Sequence, residues 1–172
     1  MTKVMIVSKV RVLIITLFLL FCVLAPLAGA SNKRSDFFVK AYVYPWSFQG
    51  TIEMTESMWI AHGTQWGWVA DEFGDQYGNH RIGAINVTVM LIAKLGENGL
   101  YDAEGIGTMH FTIRFDNGLT VEGTLIGRFV HPTIDGNQIV DGVFSGHGGM
   151  HVKGIVENIE VGSGFALNGY SW

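Results

Sequence analysis

Two histidines in "SGHGGMHVKG" (145–154) are the side chains of this sequence that look most like chemistry. His147 and His151 stand among Gly146, Gly148 and Gly149, a setting that suits a phosphate cradle, a metal site or a tight turn. A phosphate cradle needs a Lys-Ser or Lys-Thr pair and a helix opening behind it, and the spacing here fits neither the P-loop nor the dinucleotide fingerprint. Two histidines make half a metal site, with no third ligand at a usable spacing. The stretch is therefore read as a hairpin tip, with no metal and no cofactor expected. Pairing Phe144 with Val152, Gly142 with Gly154 and Val140 with Val156 keeps the apolar residues on one face. His147-Gly148-Gly149 is then a three-residue loop with Gly149 left-handed, and His151 lies beside Ser145.

The second constellation is "MWIAHGTQWGWV" (58–69), where a continuous strand puts Ile60, His62, Thr64, Trp66 and Trp68 on one face. Turned inward, His62, Trp66 and Trp68 would line an apolar ligand pocket with one polar handle. They could equally be plain core, with the indole N–H and imidazole satisfied by neighbours. Turned outward, Trp66 and Trp68 would form a platform for sugar rings. Asp71, Glu72 and Asp75 in "DEFGDQYGNH", and Asp135, Asn137 and Asp141 in "IDGNQIVD", lack the spacing of a calcium loop and read as solvated acids. "NVT" makes Asn86 a glycosylation candidate on an outward strand position. No serine stands on a Gly-x-Ser-x-Gly elbow, and the acids that can be placed, such as Glu122, face away from the core. His110 also faces outward, beside Thr124. Whether the protein is an enzyme stays open.

The elements that must carry these residues are strands. "INVTVMLIAKL" sets Ile85, Val87, Val89, Leu91, Ala93 and Leu95 on one side, while "GIGTMHFTIRF" does the same for Met109, Phe111, Ile113 and Phe115. "LTVEGTLIGRF" follows with Leu119, Val121, Leu125 and Phe129. Between the last two, Asn117-Gly118 invites a two-residue turn, which would set each apolar residue against a polar one. A three-residue loop, Asp116-Asn117-Gly118, instead pairs Phe115 with Leu119, Ile113 with Val121, Phe111 with Gly123, Met109 with Leu125 and Gly105 with Phe129. Further strands are expected at 37–44, 48–55, 57–69, 139–146, 150–161 and 164–171. No helix-period stretch occurs past residue 36. Eight or nine long strands joined by short turns, with 22 of the 23 glycines past residue 30, predict an all-β, closed antiparallel barrel. A barrel of that size is either filled by side chains or holds one small ligand.

Residues 1–30 read as a hydrophobic secretory signal helix. Lys3, Lys9 and Arg11 precede an apolar run from Val12 to Leu24, Pro26 interrupts it, and Ala28-Gly29-Ala30 suits cleavage before Ser31. The alternative is an uncleaved membrane anchor, since Val12–Ala30 approaches the roughly 20 residues of a spanning helix. Removal takes three of the 11 basic residues and none of the 15 acids, leaving residues 31–172 with a formal charge of −7. Nucleic acid and anionic membrane surfaces are poor partners for such a domain. Cys22 leaves with the signal, so the remaining single domain has neither disulfide nor thiol nucleophile.

"GVFSGHGGMHVKG" (142–154) resembles the strand-turn-strand of the allene oxide cyclase and dirigent-like barrels, over the C-terminal third of the chain. The resemblance implies an eight-stranded antiparallel barrel with a central cavity, often oligomeric, in which apolar guests are steered. It carries over no catalytic residue. Three readings follow: a secreted barrel binding a small apolar or amphipathic ligand, a cyclase or isomerase using the cavity, and a structural cell-surface domain with a filled core.

Overall fold

The structure is a computed structural model and describes residues 34–133, 136–159 and 164–172; the signal segment and Asp135 lie outside them. The described residues form nine strands: β1 (Ser35–Val43), β2 (Gln49–Met54), β3 (Met58–Ala70), β4 (Arg81–Gly96), β5 (Gly99–Phe115), β6 (Thr120–Thr133), β7 (Gly136–Gly148), β8 (Val152–Asn158) and β9 (Gly164–Ser171). Among these residues the one helical piece is a 3-10 turn at Pro45–Ser47. Each strand pairs antiparallel with its sequence neighbour from β2 through β9, and β1 lies between β9 and β3. That last pairing closes a barrel of eight strands, β1 and β3–β9, with β2 as an extra strand.

β1 and β2 are in effect one interrupted strand laid along β3. β1 covers its C-terminal half, with Lys40 opposite Ala70 and Val43 opposite Gly67. β2 covers the other half, with Gln49 opposite Thr64 and Met54 opposite Trp59. Pro45 has no N–H to give a ladder, so the chain breaks into the 3-10 turn there. The Ser47 side chain then mends the ladder. Its Oγ accepts from Trp66 N–H at 3.0 Å and lies 2.7 Å from the Tyr44 carbonyl.

Strand alternation sorts the side chains as two-period patterning requires. Ile85, Val87, Val89, Leu91 and Ala93 of β4 are buried, and Asn86, Thr88, Met90, Ile92 and Lys94 are exposed. On β5 and β6, Met109, Phe111, Ile113, Val121, Leu125 and Phe129 point into the same core as Phe144, Val156, Phe165 and Leu167. Each large side chain so buried contributes about 1.5–3 kcal/mol. Phenylalanines meet glycines across the strands: Phe111 stands opposite Gly123, Phe129 opposite Gly105 and Phe144 opposite Gly154. The Phe129 ring also leans over Gly107, where an added Cβ would fall 2.6 Å from its Cε2. The interior in this region is occupied by side chains.

The β5–β6 hairpin has the predicted register throughout. Gly118 N–H donates to Phe115 O, Phe115 N–H donates to Leu119 O, and Gly118 takes φ +88°. The β7–β8 hairpin differs from its prediction by two residues. Gly146 stands opposite Val152, Phe144 opposite Gly154 and Gly142 opposite Val156, so Ser145 faces Lys153 and not His151. A slip of two leaves every residue on its expected face, so patterning could not detect it. β7 stays on β6 as far as Gly148, which takes φ +135° in place of Gly149, and His147 is a strand residue opposite Glu122. His151 instead exchanges two backbone hydrogen bonds with Trp172, on which its ring stacks at 5.8 Å.

Candidate functional site

The predicted inward lining of β3 is reversed. Trp59, Ala61, Gly63, Gly67 and Val69 are the buried, core-side residues, while Ile60, His62, Thr64, Trp66 and Trp68 share the outer face. An added Cβ at Gly63 would meet the Phe48 ring at 2.7 Å, and one at Gly67 the main-chain carbonyl of Tyr42 on the paired strand β1 at 2.0 Å. The one indole on the core side of β3 is Trp59, which belongs to the core cluster. The three predicted ligand residues also part company. His62 is exposed between Thr51 and Met90. Trp68 is outward yet only 4% exposed, stacked 4.3 Å from Tyr42. Trp66 alone stands at a concave site.

That site is a cavity of about 540 Å³ on the outer wall, spanning β3 to β7. It is built from two cross-strand rows. One row runs Thr64, Thr88, His110, Thr124 along β3–β6; the other runs Trp66, Asn86, Thr112, Glu122, His147 along β3–β7. Gln49 and Ser47 close the β2 side. Val87 and Phe111 bury their side chains inward, so they present main chain as the floor. Short Thr and Asn side chains in the middle, with Trp66 at one end and His147 at the other, make the wall concave. His110 Nδ1 lies 3.0 Å from Thr124 Oγ1, a side-chain hydrogen bond across β5 and β6.

Trp66 is the apolar end of this groove and remains 44% exposed. It meets Tyr44 and Trp46 edge-on at 4.9 and 5.0 Å, and those two stack on each other at 4.8 Å. The 3-10 turn is what brings them there, because the ladder break swings Tyr44 and Trp46 beside β3. The Ser47 bonds hold the turn to the Trp66 backbone. The exposed rings of this cluster, with Trp46 70% accessible, offer an aromatic wall.

The groove carries one carboxylate, Glu122, and neither lysine nor arginine. Its other groups are hydroxyls, amides and two imidazoles, each able to donate or accept. This arrangement suits a neutral, hydroxyl-rich ligand more than an anion. No three His, Cys, Asp or Glu side chains come together as a metal centre among the described residues.

Asn86, singled out as a glycosylation candidate, lies in the groove itself, opposite Trp66. The acids of residues 71–80 hold their own loop. Asp75 accepts from the Tyr77 and Asn79 backbones and, at 2.6 Å, from the Asn79 side chain; Asp71 accepts from Phe73 N–H and lies 3.5 Å from His80. Those hydrogen bonds, the Asn79 side chain foremost, hold the Asp75 carboxyl below the usual carboxylate range. The loop folds back on β1, where Lys40 Nζ donates to the Glu72 and Gly74 carbonyls and Tyr42 Oη to Gly74. Burial, with Asp75 nearby, pushes the Tyr42 phenol up. Asp141, from the other acidic stretch, pairs with Arg128 at 3.0 Å. No family model, curated protein or solved structure matches the chain.

Sequence reasoning missed most of the groove. The sequence pattern places His110, Thr124 and Glu122 on the outer face in their true register, where each taken singly reads as solvated surface. The available signal was the row itself: Thr88, His110 and Thr124 fall opposite one another on three consecutive strands.

Proposed function

We propose that this chain is a binding module that holds a small, amphipathic, hydroxyl-rich ligand of the carbohydrate class in the groove on the outer wall of the barrel. The observation that carries this reading is the pairing of a half-exposed Trp66 with a lining of neutral hydroxyl, amide and imidazole groups. A sugar ring has an apolar C–H face that stacks on indole and a rim of hydroxyls that need both donors and acceptors. Small-ligand sites combine these features in the same way, an apolar wall with a few placed polar groups. A volume near 540 Å³ is within the range of roughly 300–1,000 Å³ usual for such sites. Residues 1–30, read as a secretory signal, are in keeping with a ligand met outside the cell.

The test is calorimetric titration of the protein with glucose, galactose, N-acetylglucosamine and their 1,4-linked dimers. Trp66→Ala weakens binding at least tenfold, and Thr112→Val weakens it by removing one polar partner. His62→Ala leaves it unchanged, because His62 lies outside the groove. Failure of every saccharide to bind, or binding indifferent to Trp66→Ala, overturns the proposal.

A further inference from the structure

The groove is long and narrow, and its proportions select the shape of its ligand. Its two side-chain rows stand two residues apart on each strand, which separates them by about 7 Å. Between the rows, Val87, Phe111 and Gly123 lie opposite one another on β4 to β6, and Gln65 lies opposite Val87 on β3. The floor is therefore a continuous track across the strands. Ser145 stands opposite Thr124, and Gly146 opposite Gly123, which carries both a hydroxyl row and the floor onto β7. From β3 to β7 the track crosses four strand spacings, roughly 19 Å.

Each crossing repeats the same pattern, one polar group on either bank. Thr88 and Asn86 do this on β4, His110 and Thr112 on β5, Thr124 and Glu122 on β6. One row further out the pattern stops. On one side Met90, Ile126 and Val143 flank Thr108; on the other stand Trp68, Ala84 and Arg114. A single hexose would occupy one or two crossings and leave the other partners to water. A polymer with a hydroxyl-bearing repeat meets a partner at every strand.

Building on the carbohydrate reading of the groove, on which this step rests, we infer that the ligand is a linear oligosaccharide laid across the strands. One sugar ring stacks on Trp66, and the chain runs over β4 and β5 toward Glu122 and His147. A 1,4-linked hexose advances by about one strand spacing, so about four or five units span the track. The lining holds one indole, Trp66 at the β3 end, which anchors one terminus of the chain. Glu122 and His147, directly opposite each other on β6 and β7, mark the far end. Among the described residues no hydrogen bond or ion pair engages Glu122, so its carboxylate oxygens are free to accept from sugar hydroxyls.

The experiment is calorimetric titration of the full chain with 1,4-linked glucose oligomers, in the α and the β series, and with 1,4-linked N-acetylglucosamine oligomers, each from one to six units. In the series that binds, affinity rises about tenfold or more from disaccharide to tetrasaccharide and levels off beyond five units. Glu122→Ala combined with His147→Ala removes that gain, so the variant binds tetrasaccharide and disaccharide alike. Trp66→Ala weakens every length. The length series on the wild-type chain needs no variant and decides the matter even if the double substitution disturbs folding. Affinity that is flat beyond the disaccharide overturns the inference and leaves the groove a site for a smaller sugar. A gain with length that survives in a folded Glu122→Ala/His147→Ala variant also overturns it, because the chain must then run another way. Failure of every oligomer to bind overturns the carbohydrate reading and this inference together.

Discussion

Replacing Gly107 by alanine tests whether the barrel is as full as its packing shows. The added methyl carbon would lie 2.6 Å from Phe129 Cε2 and 3.1 Å from both Phe129 Cδ2 and Leu91 Cδ1. Carbon atoms rest about 3.5–4.0 Å apart, so the shortfall is near 1 Å against a ring that is itself 1% exposed and walled in. Overpacking of this kind costs about 1–3 kcal/mol. For a barrel of this size that lowers the midpoint of thermal unfolding by about 3–5 °C per kcal/mol. All three close atoms belong to side chains, so relief is available. Phe129→Leu alone leaves a small void, at a cost on the order of 1–2 kcal/mol. The double variant Gly107→Ala/Phe129→Leu should then be more stable than the sum of the two changes allows, by about 0.5–1 kcal/mol or more. Urea unfolding followed by circular dichroism reads all four corners of the cycle. A neutral Gly107→Ala, or strict additivity, would show free room above Gly107 and restore the case for a guest inside the barrel.

Further predictions concern the turn, the loop and the groove. Ser47→Ala leaves the Trp66 N–H without its acceptor at a site only 5% exposed and costs about 1–3 kcal/mol, read by urea unfolding. It should also loosen the Tyr44–Trp46–Trp66 cluster, seen as altered near-UV circular dichroism. The Asp75 carboxyl titrates lower in the folded chain than when unfolded, so its contribution is complete above the unfolded value and is lost as pH falls through the folded one. Amide exchange at Tyr77 and Asn79 should therefore quicken in acid beyond its intrinsic pH dependence, and Asp75→Asn should remove that excess. Tyr42 works in the opposite sense: burial raises its phenol, so stability is undiminished below the unfolded phenol value and is lost as pH rises from there through the folded one, and loop 71–80 should detach from Tyr42 in strong alkali, monitored by phenolate absorbance. Occupying Asn86 with a bulky group blocks the groove, so a chain glycosylated there should lose saccharide binding that Asn86→Gln retains.

The barrel was legible in the sequence because its long strands alternate cleanly. On β5 and β6, Phe111 opposite Gly123 and Phe129 opposite Gly105 admit one register, and a one-residue slip would have turned every phenylalanine outward. The β7–β8 hairpin was less determined, since glycines at 142, 146, 148, 149 and 154 tolerate a two-residue slip that preserves every face. β3 misled for a different reason. Its two faces are both apolar in part, and hydrophobicity favours the tryptophan face for the core. The structure has it otherwise: the inner face carries Trp59, Ala61, Gly63, Gly67 and Val69, and Trp66 and Trp68 find cover outside, Trp68 against Tyr42 and Trp66 against Trp46. The groove was invisible to strand-by-strand reading, because it exists only once five strands are laid side by side and the Pro45–Ser47 turn has carried two more aromatic rings to its edge.

Chemical-shift mapping during a saccharide titration tests most directly whether a ligand meets the outside of the barrel. The predicted result is progressive movement of the Trp66 indole N–H, the His110 and His147 rings and the Asn86 side-chain amide, with the buried methyl groups of Leu125 and Leu167 unmoved. Movement of those interior methyls with the Trp66 indole at rest would contradict it.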